Sequence, residues 1–131
     1  MGEPPPEPVL GEGERRQLLE GVRQFNEGFF FECHDTLEDL WGGIRGPSRD
    51  FFQGLIQVSV AFYHLSNGNA AGAESMFARA LKRFEAYPET YFGFDLAGQR
   101  REIQDRLRQI RSGVAAEAGA RLPTWRFEAP R

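Results

Sequence analysis

The sequence predicts an all-α protein, a compact bundle of about five helices built from antiparallel helical hairpins around a central uncharged third helix. Three observations carry that prediction. Helix breakers cut residues 12–112 into five segments, each with apolar residues at helical rather than strand spacing. Residues 51–66 contain no Asp, Glu, Lys or Arg, the mark of an element packed on most sides. Eleven of the twelve phenylalanines lie between Phe25 and Phe94, so the apolar payload is concentrated where the helices are. A chain of 131 residues has room for one core of this kind and needs no disulfide or metal merely to hold it.

The first helix, about residues 12–26, carries Leu18, Leu19, Val22 and Phe25 and stops at Asn26-Glu27-Gly28, where glycine permits a left-handed residue. The second, about 29–43, sets Phe30, Cys33, Leu37, Leu40, Trp41 and Ile44 along one arc and ends at Gly42-Gly43. Pro47 suits the start of the third helix, about 48–66, because the N–H it lacks would have no intrahelical partner. Asn69 follows the Asn67-Gly68 turn as N-cap of a fourth helix, about 70–86, with Ala73, Met76, Phe77, Ala80, Leu81 and Phe84 as its stripe. Gly68, Ala73, Phe77 and Ala80 match half of a tetratricopeptide-type hairpin, read here as shared close packing rather than a repeat array. Pro88 closes that helix, an aromatic connector runs from Tyr87 to Phe94, and Asp95 caps a fifth helix bearing Leu96, Ile103, Leu107 and Ile110. Short connections make successive helices antiparallel. The domain reading is a disordered Pro/Glu-rich lead-in at 1–11, one helical domain at 12–112 and a C-terminal extension at 113–131, in which Leu122 to Phe127 with Trp125 can dock on the domain or a partner.

The net charge of −3 gives no electrostatic reason to bind nucleic acid or an anionic membrane. Polar residues interrupt the uncharged run 51–73, so no segment reads as a membrane span. A single cysteine, Cys33, set among aromatic residues, and a lead-in without the pattern of a signal peptide point to a cytoplasmic protein with a buried thiol.

The residues able to carry chemistry centre on Glu32-Cys33-His34-Asp35-Thr36-Leu37-Glu38-Asp39-Leu40-Trp41. His34, Glu38, Trp41 and Arg45 fall on nearly one line of a helix, flanking the apolar arc. A histidine and a carboxylate four residues apart can share a metal ion, or the carboxylate can orient the imidazole for general-base work. Neither the zincin pattern nor the paired Glu-x-x-His of di-iron bundles is present. On the third helix, Gln53, Gln57 and His64 share about a quarter of the circumference. If that stripe faces the second helix, His34, Asp35, Glu38, Trp41, Gln53, Gln57 and His64 form one half-buried polar cluster containing both histidines. The cluster admits an interhelical hydrogen-bond network, a small-molecule or divalent-metal site with His34, Glu38 and His64 as ligands, or an acid/base pair. Phe29-Phe30-Phe31, Phe51-Phe52 and Tyr91-Phe92-Gly93-Phe94 hold more rings than one stripe buries, which allows an aromatic pocket or a homo-oligomer contact.

Residues 25–110 resemble the family catalogued as domain of unknown function 309, through Asn26-x-Gly28-x-Phe30-x-x-x-His34-Asp35-x-x-Glu38-x-x-Trp41, Phe52-Gln53-Gly54-Leu55-Ile56-Gln57 and His64-x-x-x-Gly68-Asn69-x-x-Gly72-Ala73. The resemblance implies a compact helical domain and signature residues, without an established activity. Asp35 stands where the family usually has Glu, which would draw back a ligand or base carboxylate by about an ångström. The function expected from the sequence is a small helical binding or interaction module for a protein or small-molecule partner, with the polar cluster as its site. The alternative is a metal-dependent enzyme, such as a hydrolase, with Asp35 as base.

Overall fold

In the computed structural model, residues 2–113 and 122–128 are described. Five helices make up the body: α1 Glu12–Asn26, α2 Phe30–Gly42, α3 Arg49–Ser66, α4 Ala70–Phe84 and α5 Leu96–Arg111. Consecutive helices pack on one another from α1 to α4, and α5 returns against α4, so α3 lies between α2 and α4. None of these helices is long and apolar enough to cross a membrane.

Local chemistry sets the ends of the helices. Glu14 accepts a hydrogen bond from the Gly11 N–H at 2.9 Å, Asn69 one from Gly72 at 2.9 Å, and Asp95 one from Gly98 at 2.9 Å, which satisfies otherwise unpaired N–H groups of the first turns. The start of α3 is satisfied from a distance. Tyr87 Oη accepts from the Phe51 N–H at 3.0 Å and donates to the Pro47 carbonyl at 2.5 Å, tying the loop after α4 to the first turn of α3. Arg100 returns the favour at the other helix end, donating to the carbonyls of Phe84 and Tyr87 at 2.6 Å each.

The core forms where α3 and α4 approach closely. A Cβ built on Gly54 would lie 2.5 Å from Cε1 of Phe84, a ring with no solvent exposure. Ala73, Phe77 and Ala80 complete the same seam, also fully buried. Phe51, one turn before Gly54 and 6.1 Å from the same Phe84 ring, has the rings of Tyr87, Tyr91 and Phe94 4.9–5.6 Å from its own. Most rings therefore go inside; the exposed aromatic side chains among the described residues are Phe29 and Phe31, each 48 % exposed. Cys33 is buried and unpaired, and burial pushes its thiol up to about 12.

The aromatic connector is more ordered than its reading as a simple link suggests. Thr90–Tyr91 (β1) and Phe94–Asp95 (β2) pair antiparallel around Phe92 and Gly93, whose φ values of 47° and 82° suit a tight two-residue hairpin. Residues 122–128 run alongside as a strap. Phe127 bridges Phe94, the Asp95 N–H donates to the Arg126 carbonyl at 3.1 Å, and the Glu128 N–H donates to the Gly93 carbonyl at 2.8 Å. Glycine is required at 93, since a Cβ there would sit 1.9 Å from the Glu128 carbonyl oxygen. Trp125 stacks on Phe25 with ring centroids 3.9 Å apart, and Asn26 holds the Trp125 backbone at both ends, accepting from its N–H at 2.7 Å and donating to its carbonyl at 3.3 Å. The lead-in, whose composition suggests a disordered tail, is also tied down: Tyr91 Oη donates to the Pro6 carbonyl at 2.7 Å, Glu7 accepts from the Phe92 N–H at 2.8 Å, and Leu10 is buried.

Three tests follow from this packing. Gly54→Ala crowds a ring that has nowhere to move, and after the gain in helix propensity is counted it is expected to lower urea stability by about 1–2 kcal/mol. Gly42→Ala, with open space around its Cβ position, is expected to leave stability unchanged or raise it. Asn26→Ala removes both ties to Trp125 and is expected to cost about 1–2 kcal/mol, read as faster trypsin cleavage after Arg126. Burial also pushes the Tyr91 hydroxyl up to about 12 and raises Tyr87. Acids whose folded values are raised stabilise the fold fully below their unfolded values and lose that contribution as pH climbs toward the folded ones. Urea stability is therefore expected to fall between about pH 9 and 12, in step with the tyrosinate absorbance.

Candidate functional site

The arc Phe30, Cys33, Leu37 and Leu40 buries one side of α2, which leaves Phe31, Glu32, Asp35, Glu38 and Asp39 facing outward. His34 lies on the boundary between them, its side chain one-quarter exposed. Its Nε2 is 2.8 Å from a Glu38 carboxylate oxygen, one helical turn along, and its Nδ1 is 3.4 Å from Asp35. Both carboxylates are mostly exposed, so the pairing orients the imidazole while contributing little to folding, about 0–1 kcal/mol. The ring of Phe31 lies 5.7 Å from that of His34 and 5.4 Å from that of Tyr63 on α3. The result is an aromatic ledge spanning two helices, with a histidine and two carboxylates along its edge.

The polar residues of α3 go elsewhere. Gln57 is buried and faces α4, where its Oε1 accepts from Arg83 Nε at 3.1 Å. The same guanidinium reaches Asp50 at 2.7 Å, so Asp50, Arg83 and Gln57 form one network between α3 and α4. His64, one heptad beyond Gln57, continues along that line: its Nδ1 lies 3.3 Å from the amide nitrogen of Asn69, the N-cap of α4. Gln53 is half-buried on the same helix. The single cluster anticipated from the sequence is thus divided, because the Gln57–His64 stripe faces the fourth helix rather than the second. His34 meets Glu38 and Asp35, whereas His64 meets Asn69. Among the described residues no group of three or more His, Cys, Asp or Glu side chains is placed to hold a metal ion, and His34, Glu38 and His64 do not form such a set.

Trp41 belongs to neither group. The Arg49 guanidinium lies 3.7 Å above its ring and donates to the carbonyls of Trp41 and Ile44 at 3.0 and 2.7 Å, closing the turn between α2 and α3. Its indole nitrogen is buried without a hydrogen-bond partner.

Two residues gain importance only in three dimensions. Asn26, read from sequence as part of a helix stop, clamps a backbone 99 residues away. Gln99 sits on α5 among Leu96, Ile103 and Leu107, and is buried with them. The signal for Gln99 was present, since position 99 lies three residues after Leu96 and four before Ile103, on the apolar stripe.

Comparison with known proteins places this geometry. Residues 18–76 match the model of a family described as Domain of unknown function (DUF309). An uncharacterized protein of Aquifex aeolicus (strain VF5) is 26 % identical over 101 residues, covering 76 % of this chain and 30 % of that protein. The uncharacterized protein YpuF of Bacillus subtilis (strain 168) is 36 % identical over 58 residues, covering 44 % of this chain and 33 % of its own length. The chain thus spans about a third of the length of these curated relatives. The matched segment contains His34, Asp35, Glu38, Trp41, Gln53, Gln57 and His64, and ends within α4, before the hairpin, α5 and the strap. From Leu18 to Met76, the chain is thus similar to the DUF309 family, over a little under half of its length.

Proposed function

We propose that this chain is a small helical interaction module that binds a protein segment carrying both basic and apolar side chains. The observation that supports the reading is the outer face of α2: Phe31, 48 % exposed, stands beside the His34–Glu38 pair on a helix with four acids and no lysine or arginine. Large rings on a soluble surface lose the burial they could gain, and an exposed ring rimmed by polar groups is a common form of recognition surface. Tyr63 of α3 packs beside Phe31, with ring centroids 5.4 Å apart, and widens the apolar part. The carboxylates Glu32, Asp35 and Glu38 attract a cationic partner and exclude an acidic one. In this reading the imidazole of His34, oriented by Glu38, is a hydrogen-bonding group at the edge of the contact rather than a metal ligand. A cytoplasmic setting fits the module, supported by the lone buried thiol of Cys33.

Selection of peptides from a random display library on the purified protein tests the proposal. Wild type is expected to enrich sequences combining Arg or Lys with aromatic or large aliphatic residues. Phe31→Ser is expected to weaken a selected peptide at least about tenfold, as loss of one aromatic anchor does, and Glu38→Gln to weaken it less and to reduce its salt dependence. Enrichment of acidic peptides, or affinity unchanged in both variants, would contradict the assignment.

A further inference from the structure

A cavity of about 580 Å³ lies between α5 and the strap, with no lining residue on α2. Its apolar wall is built from Phe25, Val58, Phe62 and Ile103, and Trp125 contributes from the strap. The volume lies within the range of small-molecule sites. Gln99 lines the same cavity and is 7 % exposed, yet neither its amide nitrogen nor its amide oxygen has a hydrogen-bond partner. Each atom is shielded from solvent as well, so the amide has lost water without gaining protein. Such a group lowers stability, and a leucine at this point of the Leu96–Ile103–Leu107 stripe would avoid the loss. A residue that weakens the fold while lining a cavity has the character of a binding group.

We infer that this cavity is a binding site for a small, neutral, ring-containing molecule with an amide-like edge, one donor beside one acceptor, that pairs with the Gln99 side chain. The carboxamide of glutamine presents a donor and an acceptor in one plane, which matches a primary amide or a lactam. Its two-methylene arm lets that head turn from the wall into the cavity. The ring of the ligand packs against the apolar wall of the cavity, where Phe25 and Trp125 are stacked on one another and Val58, Phe62 and Ile103 lie beside them. Neutrality follows from the surrounding charges, in which Asp95 and Glu102 are balanced by Arg101 and Arg126. Ligand binding here is independent of partner binding on α2, since the two sites share no residue.

Benzamide, toluene and acetamide serve as probes, followed by the side-chain amide signal of Gln99 and the indole signal of Trp125 in NMR titrations of the full chain. Benzamide is expected to shift both signals saturably and to bind about tenfold more tightly than toluene or acetamide. In Gln99→Leu the preference of benzamide over toluene is expected to vanish, while the Tm of the probe-free protein rises above that of wild type. The inference is overturned if benzamide at about 10 mM leaves both signals unmoved, if Gln99→Leu keeps the benzamide preference, or if the variant has a lower Tm, which would mean that the native amide is already satisfied.

Discussion

The fold depends on the burial of α3 against both of its neighbours. An uncharged helix can be covered on two sides only if the neighbouring backbones come close, and Gly54 makes this possible by leaving room for the ring of Phe84. Once the two helices are that close, the polar side chains left on α3 must be satisfied within the seam. Gln57 takes its partner from Arg83, and Ser59 donates to the carbonyl of Ile56 at 2.7 Å within its own helix. The first turn of α3 depends on Tyr87, so the loop after α4 is fixed by the same constraint. Apolar packing and hydrogen bonding thus point to one arrangement, as expected of a sequence that specifies a single fold.

This constraint also separates the parts of the protein that support the fold from those left free to bind. The Asp50–Arg83–Gln57 network and the His64–Asn69 contact lie along the α3–α4 seam and hold elements together. The outer side of α2 meets its neighbours at its margins, where Phe31 lies beside Tyr63 of α3 and Asp39 accepts from Gln17 of α1, while His34, Asp35 and Glu38 interact chiefly with one another and with solvent. Residues with interior partners are accounted for by folding; those with exposed rings and carboxylates are not. The strap adds a second layer of order beyond the matched family segment, using Trp125 to cover Phe25 and Asn26 to hold the strand that does so.

Helix identity was legible in the sequence because breakers and periodicity agreed at each boundary. Asn69 and Asp95 were readable as caps from their position before apolar stripes, and the structure shows both accepting the expected bonds. The pairing of helix faces was less accessible. Gln57 and His64 share a stripe at heptad spacing, which establishes that they point the same way but not which neighbour they meet; the choice of α4 depends on Gly54 and Phe84, a contact thirty residues apart in the chain. The hairpin at Phe92-Gly93 was obscured by the shortness of its strands, two residues each. The anchoring of the lead-in and strap was hidden for a related reason. Their proline-rich composition argues against regular structure, and they have none to speak of, but isolated bonds to Tyr91, Phe92 and Asn26 hold them nonetheless. Gln99 carried a visible signal in its place on an apolar stripe, which charge patterning on the rest of α5 masked.

The central claim is that the polar stripe of α3 belongs to α4, leaving His34 and Glu38 on a separate outward face. A double-mutant cycle in urea denaturation tests it most directly, comparing Gln57→Leu combined with Arg83→Met against Gln57→Leu combined with His34→Leu. The account predicts a coupling energy of about 1 kcal/mol or more between Gln57 and Arg83 and additivity, within about 0.5 kcal/mol, between Gln57 and His34. Coupling of Gln57 to His34 with none to Arg83 would contradict it and restore a single cluster between the second and third helices.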